Sequence, residues 1–368
     1  MIRILHFGDM HLDSPFSGVG VQESERLREE LRTLFSGIMK LAEEYDAVLI
    51  AGDLFDCGYV SPDTLASVKT ALGGCGKPVV IAPGNHDPYR SGSVWTSGTW
   101  PENVMIFSDC HLSHFDFQAG GVPVTVWGWA FTSDRLVVCP LGEGLVPFRG
   151  RINMICGHGD TSSPITKYCP VTPTAIAISG CEYAALGHIH RAPEPAVYGK
   201  TLAAYCGFPE GRSWDEPGNG QVLSVSVEEE KIPAVEKIVT GHHRYEILSL
   251  DVTGEESDEG VASLVSEAIK DFENVSALVN LGGAVVPSYK PDTGKIAAIS
   301  QHSADTAVTV RDGTLPVFGA GYLEKDMTVR GEFYRCLRPK LESDDPHERE
   351  IAADALRIGL LALENRPF

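Results

Sequence analysis

Seven side chains in five short motifs have the types and spacing of ligands for a pair of divalent metal ions. They are Asp9 and His11 in Gly-Asp-Met-His, Asp53 in Gly-Asp-Leu-Phe-Asp, Asn85 in Gly-Asn-His-Asp, His158 in Gly-His-Gly, and His188 and His190 in Gly-His-Ile-His. Carboxylate oxygen and imidazole nitrogen are donors that such ions take. Two adjacent ions neutralise the charge of a phosphate ester and generate hydroxide as a nucleophile at neutral pH. One carboxylate must bridge them, and Asp53 is the natural bridge. Asp9, His11 and His190 then complete one ion, and Asn85, His158 and His188 the other. The two histidines of Gly-His-Ile-His divide between the ions because alternate residues of an extended segment face opposite ways. A nitrogen and oxygen donor set without cysteine suits manganese, iron or zinc better than copper(I) or an iron–sulfur cluster.

His86 follows the ligand Asn85 and is placed to protonate the leaving oxygen. Its imidazole needs a partner that fixes the tautomer. Asp56, in the Asp53 motif, is the first candidate and Asp87 the alternative. Arg191 and Arg212 are candidate phosphate contacts, since a guanidinium matches phosphate oxygens; surface ion pairs are the competing use. Cys57 and Cys156 adjoin the motifs and read as buried thiols. Taken singly, each of these residues is an ordinary polar loop residue. Their joint occurrence in this order is what points to a metal centre.

Ligands so far apart in the chain must be gathered by elements. The apolar run Ile2–Phe7 ends at the first motif, 47–51 ends at Gly52-Asp53, and 78–82 ends at Gly84-Asn85. Between them, Leu27, Leu31, Leu34, Phe35, Ile38 and Leu41 fall at helical spacing within a helix expected over 21–45. Ser61-Pro62-Asp63 opens a second helix, with serine as cap and proline in the first turn, which ends at Gly73-Gly74. Strand, motif and helix in repetition predict a layered α/β domain with its chemistry at the carboxyl ends of strands. Further strands are expected within 104–129 and over 151–156, 182–186, 201–205, 222–227 and 235–239. The expected organisation is a catalytic domain over 1–240, a small α/β accessory domain over 241–330 and a C-terminal helical segment over 331–368. The accessory domain holds strands over 245–252, 275–286 and 306–310 and a helix over 255–272. The last helix starts at Asp345-Pro346, with Ile351, Ala352, Ala355, Leu356, Leu360 and Leu363 as its apolar face.

The 368 residues are 43% hydrophobic and 22% charged, as in ordinary soluble globular proteins. A net charge of -20 argues against a strongly basic nucleic-acid clamp, though it leaves room for a local positive groove. Nine cysteines, an odd number with no Cys-x-x-Cys pair, fit a reducing cytoplasm better than a disulfide framework. The amino terminus runs straight into a strand, and no stretch approaches the length of a membrane span, so no membrane association is expected.

At these motifs the chain resembles the calcineurin-like metallophosphoesterase superfamily, whose pattern is Asp-x-His, Gly-Asp-x-x-Asp, Gly-Asn-His-Asp/Glu, Gly-His and Gly-His-x-His. The resemblance implies an α/β sandwich of two packed β-sheets flanked by helices. It also implies the metal ligands named above, a catalytic His86 and an Asp56 that orients it. A narrower resemblance is to the SbcD-type nuclease subunits, especially their YhaO-like branch. It rests on Asp9-Met-His-Leu-Asp-Ser-Pro-Phe16, Gly52-Asp-Leu-Phe-Asp56, and Cys206-Gly-Phe-Pro-Glu-Gly-Arg212 with Asp215-Glu216. That resemblance implies a manganese-dependent DNA exonuclease and endonuclease of DNA repair. It implies an SMC-like, SbcC-type ATPase as partner, docked partly through the C-terminal helices, and relatives of this kind dimerise. Archaeal and eukaryotic relatives carry a histidine where Asp56 stands, so the chain looks like the bacterial form. The competing expectation is a phosphodiesterase or phosphatase acting on nucleotides or other small phosphate esters, which the acidic balance favours.

Overall fold

The apolar runs that precede the first three motifs become neighbouring strands of one sheet. The computed structural model describes residues 1–17, 20–56, 60–301, 306–317 and 319–363; Cys57 and His302 lie outside them. The chain divides into two units, Met1–Tyr245 and Glu246–Phe368.

The first unit contains, in order, β1 (Ile2–Phe7), α1 (Val21–Leu41), β2 (Ala47–Ile50), α2 (Pro62–Gly74), β3 (Val79–Ile81), β4 (Val104–Ile106), β5 (Ser113–Ala119), β6 (Val122–Gly128), β7 (Ile152–His158), α3 (Pro173–Ser179), β8 (Tyr183–Gly187), β9 (Ala196–Tyr198), β10 (Thr201–Tyr205), β11 (Gln221–Val227) and β12 (Ala234–Val239). One sheet has the order β12-β11-β1-β2-β3-β4 and the other β5-β6-β7-β8-β10-β9. In the first, β1 to β4 are parallel, with β11 and β12 added antiparallel. In the second, β6, β7, β8 and β10 are parallel between antiparallel β5 and β9.

Parallel strands covered on both faces must be apolar throughout, and all of β2 and all of β8 are buried. Successive residues then serve opposite faces. Ile2, Ile4, Leu49 and Val80 of the first sheet pack with Val124, Val126, Met154 and Tyr183 of the second to form the sandwich core. Their neighbours Leu5, Phe7, Val48 and Ile50 face outward against Leu31, Phe35 and Ile38 of α1 and Val68 and Leu72 of α2. The helix expected to reach residue 45 stops at Leu41 and tightens into a 3-10 turn over Ala42–Glu44. The turn delivers Tyr45 into the core, beneath the Arg3 guanidinium. The side chain of Ser61 accepts from the amide of Thr64, the cap expected for α2.

The strand β13 (Arg244–Asp251) leads into the second unit. There follow α4 (Asp258–Ala268), β14 (Val275–Gly282), β15 (Ala284–Val285), α5 (Thr293–Ser300), β16 (Thr306–Asp312), β17 (Leu315–Pro316), α6 (Ala320–Lys325), α7 (Val329–Leu341) and α8 (Pro346–Leu363). A three-stranded sheet, β13-β14-β16, packs Val275 and Val279 against Val261 and Val265 of α4 and Ile296 of α5. The helix expected over 255–272 is shorter. Ser257 caps it through the Gly260 amide, so it begins at Asp258, and it ends at Ala268. The strand expected over 275–286 is split at Gly283, whose φ of 96° suits glycine alone; a Cβ there would strike Asp251. The buried stripe of α8 also differs from the expected one. Ala352, Leu360 and Leu361 are buried, while Ile351 and Leu363 are exposed. Its register is set by contact with Tyr334 of α7 and Leu323 of α6. No helix among the described residues is long and apolar enough to cross a membrane.

Candidate metal centre

Each loop that bears candidate ligands leaves the carboxyl end of a parallel strand. The end of β1 supplies Asp9 and His11, β2 supplies Asp53, β3 supplies Asn85 and His86, β7 ends on His158, and β8 supplies His188 and His190. The loops are laced together by backbone hydrogen bonds. The Asp9 amide donates to Gly52 O at 2.9 Å, the His11 amide to Asp53 O at 3.0 Å, and the Asp56 amide to Leu12 O at 3.0 Å. Asp13 pins the first loop to the start of α2, accepting from the Ser61 amide and the Thr64 hydroxyl, both at 2.7 Å. Asp9, His11, Asp53 and His188 have φ of 50°, 48°, 49° and 102°. Non-glycine residues occupy that region only where the surroundings enforce it, and such strain concentrates at functional sites. A glycine precedes most of these ligands for steric reasons. A Cβ on Gly52 would strike the His158 ring, one on Gly84 the Asp53 carboxylate, and one on Gly187 the Ala51 carbonyl.

Asp53 lies at the centre, almost wholly buried. Its Oδ2 stands 3.3 Å from His158 Nε2 and 3.8 Å from His11 Nε2, and its Oδ1 accepts from the His86 amide at 2.8 Å. Asp9 Oδ2 accepts from the His188 amide at 2.9 Å, and its Oδ1 is 3.5 Å from His190 Nε2. His158 donates from Nδ1 to Ala51 O at 2.9 Å. That places a proton on Nδ1 and turns Nε2 toward Asn85 Oδ1 at 3.0 Å. The His188 ring meets the His158 ring edge-on at 5.1 Å and leans on Tyr168 at 4.9 Å. His188 therefore lies beside His158, and His190 beside Asp9.

These residues fit cations. The donors of Asp9, His11 and His190 lie within 4.8 Å of one another, as do those of Asp9, Asp53 and His158. Asp9 Oδ1 and both ring nitrogens of His11 are buried with no hydrogen-bond partner among the described residues. Each such atom costs about 1–3 kcal/mol unless something satisfies it. Nε2 of His158 and Oδ1 of Asn85 turn toward one point, where a cation, or a proton on Nε2 in its absence, satisfies both. The field of the carboxylates points the same way. Burial alone would lower the pKa of His158, yet Asp53 and Asp9 raise it to about 9. His190 is likewise opposed by burial and raised to about 10 by Asp9 and Glu216. The candidate sets are Asp9, His11 and His190 around one ion and Asn85, His158 and His188 around a second, with Asp53 between them.

His86 stands at the edge of this cluster, with its side chain 40% exposed. Its Nδ1 donates to Asp56 Oδ1 at 2.9 Å, and Asp56 Oδ2 accepts from the Ser14 hydroxyl at 2.8 Å. Its donors also lie close enough to His11 and Asp53 to join a ligand group. Of the two candidate partners, Asp56 is the one bonded to His86. Asp87 instead braces the backbone, accepting from the amides of Leu54 at 2.9 Å, Phe55 at 3.1 Å and Gly84 at 2.7 Å. Arg191 is exposed. Arg212 is 14% exposed and is committed to Glu216, to which its amide donates at 2.8 Å and its Nε at 3.1 Å; its Nη1 lies 3.7 Å from Asp56 Oδ2.

Glu216 is the residue the motifs did not single out. It is buried, and its Oε1 accepts from His190 Nδ1 at 2.8 Å, leaving Nε2 of that ring directed at Asp9. Burial would raise its pKa, but His190 and Arg212 together hold it at about 2. A carboxylate that receives the second N–H of a ligating histidine orients it and raises its basicity. The only trace of this in the sequence is that Glu216 closes the stretch carrying the narrower resemblance. Cys156 is buried, with its thiol donating to Ile50 O at 3.5 Å, and belongs to the core.

The family model described as calcineurin-like phosphoesterase matches residues 2–192, which carry all five motifs. Among curated proteins, the uncharacterized metallophosphoesterase YhaO of Bacillus subtilis (strain 168) is 30% identical over 236 residues, covering 59% of this chain and 55% of the relative. The chain thus spans about half the length of that curated relative. Two β-sheets packed between helices, with Asp, Asn and His donors converging from five strand ends and a matching family model over more than half the chain, lead to one conclusion: the chain belongs to the calcineurin-like phosphoesterase family, whose members hold two divalent metal ions.

Proposed function

We propose that this metal-dependent phosphoesterase cleaves DNA phosphodiesters, as an exonuclease and endonuclease subunit of DNA repair that works with manganese and an SMC-like, SbcC-type ATPase. Divalent ions, when bound, neutralise the phosphate and lower the pKa of water to near neutrality. Asp9, His11, His190, Asn85, His158, His188 and Asp53 would hold them. The observation that carries the reading is the His86–Asp56 pair at the edge of the buried cluster. The Asp56 hydrogen bond raises the pKa of His86 against partial burial, and the charge of Asp53 adds to it. With Nδ1 committed to Asp56, Nε2 is the atom that passes a proton to the departing oxygen.

DNA as substrate is supported by the SbcD-like stretches at 9–16, 52–56 and 206–212. In this reading 1–240 is the nuclease domain, 241–330 the α/β accessory domain, and 331–368 docks the ATPase. Ile351, Ile358 and Leu363 on α8 are exposed and suit an apolar partner. The reading includes a cytoplasmic location and a homodimer. Arg212 is retained as a phosphate contact only if substrate displaces its Asp56 neighbour. A second reading, hydrolysis of nucleotides or other small phosphate esters, is favoured by the net charge of -20. The test is a side-by-side assay with manganese of labelled linear DNA and a bis-aryl phosphate, with and without the neighbouring-gene ATPase. Degradation of the DNA, faster with the ATPase, is expected. Rapid hydrolysis of the ester with intact DNA in both conditions transfers the assignment to small esters.

A further inference from the structure

A cavity of about 280 Å³ opens beside His86, and no residue role assigned above accounts for it. Asp56 and His86 form one wall. Phe55, Val60 and Leu65 contribute apolar surface, and Arg90 and Ser97 line it as well. Phe55 is fully buried and is braced edge-on by Trp95 at 5.4 Å, whose indole N–H donates to the carbonyl of Asp87. Arg90 and Ser97 are exposed. Val60 and Leu65, half-buried, thus give the cavity an apolar side beneath a polar rim, with Phe55 packed behind it.

We propose that this cavity receives the departing nucleoside of the scissile phosphodiester, a deepening that rests on the DNA reading above. Hydrolysis breaks the bond between phosphorus and the departing oxygen. Water supplies the new oxygen, and the Nε2 proton of His86 goes to the departing one. That oxygen must therefore lie within hydrogen-bond reach of His86. The group attached to it cannot extend into the cluster, where Asp9, His11, Asp53 and His158 are buried. It extends past His86, into the cavity that His86 also lines. A flat base matches the apolar surface offered by Val60 and Leu65, which are half-buried and contact any base alike. The hydroxylated sugar matches the rim. The volume falls just under the range of about 300–1,000 Å³ typical of small-molecule pockets, so it holds one nucleoside rather than a stacked pair. The departing nucleoside must unstack from its neighbour on the strand to enter. Arg90 is paired with Asp134 at 3.4 Å, with both partners more than half exposed. Such a pair is weak and can be exchanged for the next phosphate along the strand.

The experiment uses the full chain loaded with manganese, turning over bis-p-nitrophenyl phosphate. Deoxyadenosine, thymidine and inorganic phosphate are added separately as inhibitors. Ser97→Trp and Ser91→Trp fill the cavity from exposed positions, where bulk does not disturb the core. The ratio of the deoxynucleoside inhibition constant to that of phosphate should rise about tenfold or more in both variants. Equal ratios in variants and parent, or no deoxynucleoside inhibition of the parent, would overturn the inference. Wild-type protein that cleaves no DNA yet shows the tryptophan-sensitive deoxynucleoside effect keeps the subsite and removes the DNA reading. DNA cleavage with unchanged ratios does the reverse.

Discussion

At His86 two roles compete for one ring, proton donor and metal ligand. Its hydrogen bond to Asp56 and its exposure favour the donor role. His86→Ala should therefore retain its metal content, measured by elemental analysis, while kcat on DNA falls by about 10²–10⁴. The loss should be smaller on a p-nitrophenyl ester, whose leaving group needs no proton. Loss of metal together with rate would make His86 a ligand instead. Asp53→Ala should bind neither ion, because Asp53 touches both candidate sets. Glu216→Gln tests the buried carboxylate behind His190. Its amide keeps the size of the side chain but not its charge, and manganese affinity by titration calorimetry should weaken about 10–100-fold. Unchanged affinity would leave Glu216 only its ion pair with Arg212.

At the scale of elements, the sandwich works because the sheets approach closely where β2 and β8 end. Gly187→Ala places a Cβ against the Ala51 carbonyl. Overpacking of this kind costs about 1–3 kcal/mol, and here it also moves the Asp9 and His188 loops. A lower melting temperature together with lost metal binding is expected. The sandwich interior also holds His6, whose Nδ1 meets the Tyr183 hydroxyl at 2.8 Å. Burial lowers its pKa to about 3, against an ordinary value of 6.5. Below pH 6.5 the unfolded chain takes up a proton that the folded one refuses. Stability from this group is complete above pH 6.5 and is lost as pH falls toward 3, with a slope of at most about 1.4 kcal/mol per pH unit. Denaturant melts of His6→Gln should show a shallower decline across that window. An identical slope would mean that other groups set the acid limb.

For the whole molecule, binding that favours the folded state stabilises it by mass action. Manganese at 100 times its dissociation constant should add about 2.7 kcal/mol to the unit that carries the ligands, and a chelator should remove the gain. Calorimetry should show the shift in the transition of Met1–Tyr245 and none in that of Glu246–Phe368. A shift confined to the second unit would place the ions elsewhere. On the DNA reading, the net charge of -20 opposes the substrate, so binding would depend on local cations such as Arg90. Added salt should then weaken it along a straight line in log–log form, with a slope that counts the phosphates neutralised.

The candidate ligands and their order were legible in the chain because each motif is local: an apolar run, a glycine, then a donor. Apolar runs likewise revealed β1 and β2, helical spacing revealed α1, and the serine cap with its proline revealed α2, elements buried against a continuous core. The second unit was less legible. Its helix over 258–268 is bounded by the Ser257 cap, and its long strand is broken by Gly283, features set by contacts rather than by period. The choice of Asp56 over Asp87, the meeting of Glu216 with His190, and the cavity beside Phe55 share one cause. Each joins side chains whose separation along the chain is unrelated to their separation in space: Asp56 meets His86, and the cavity opens, where loops of the neighbouring strands β2 and β3 come together, and Glu216 meets His190 where the two sheets close on each other.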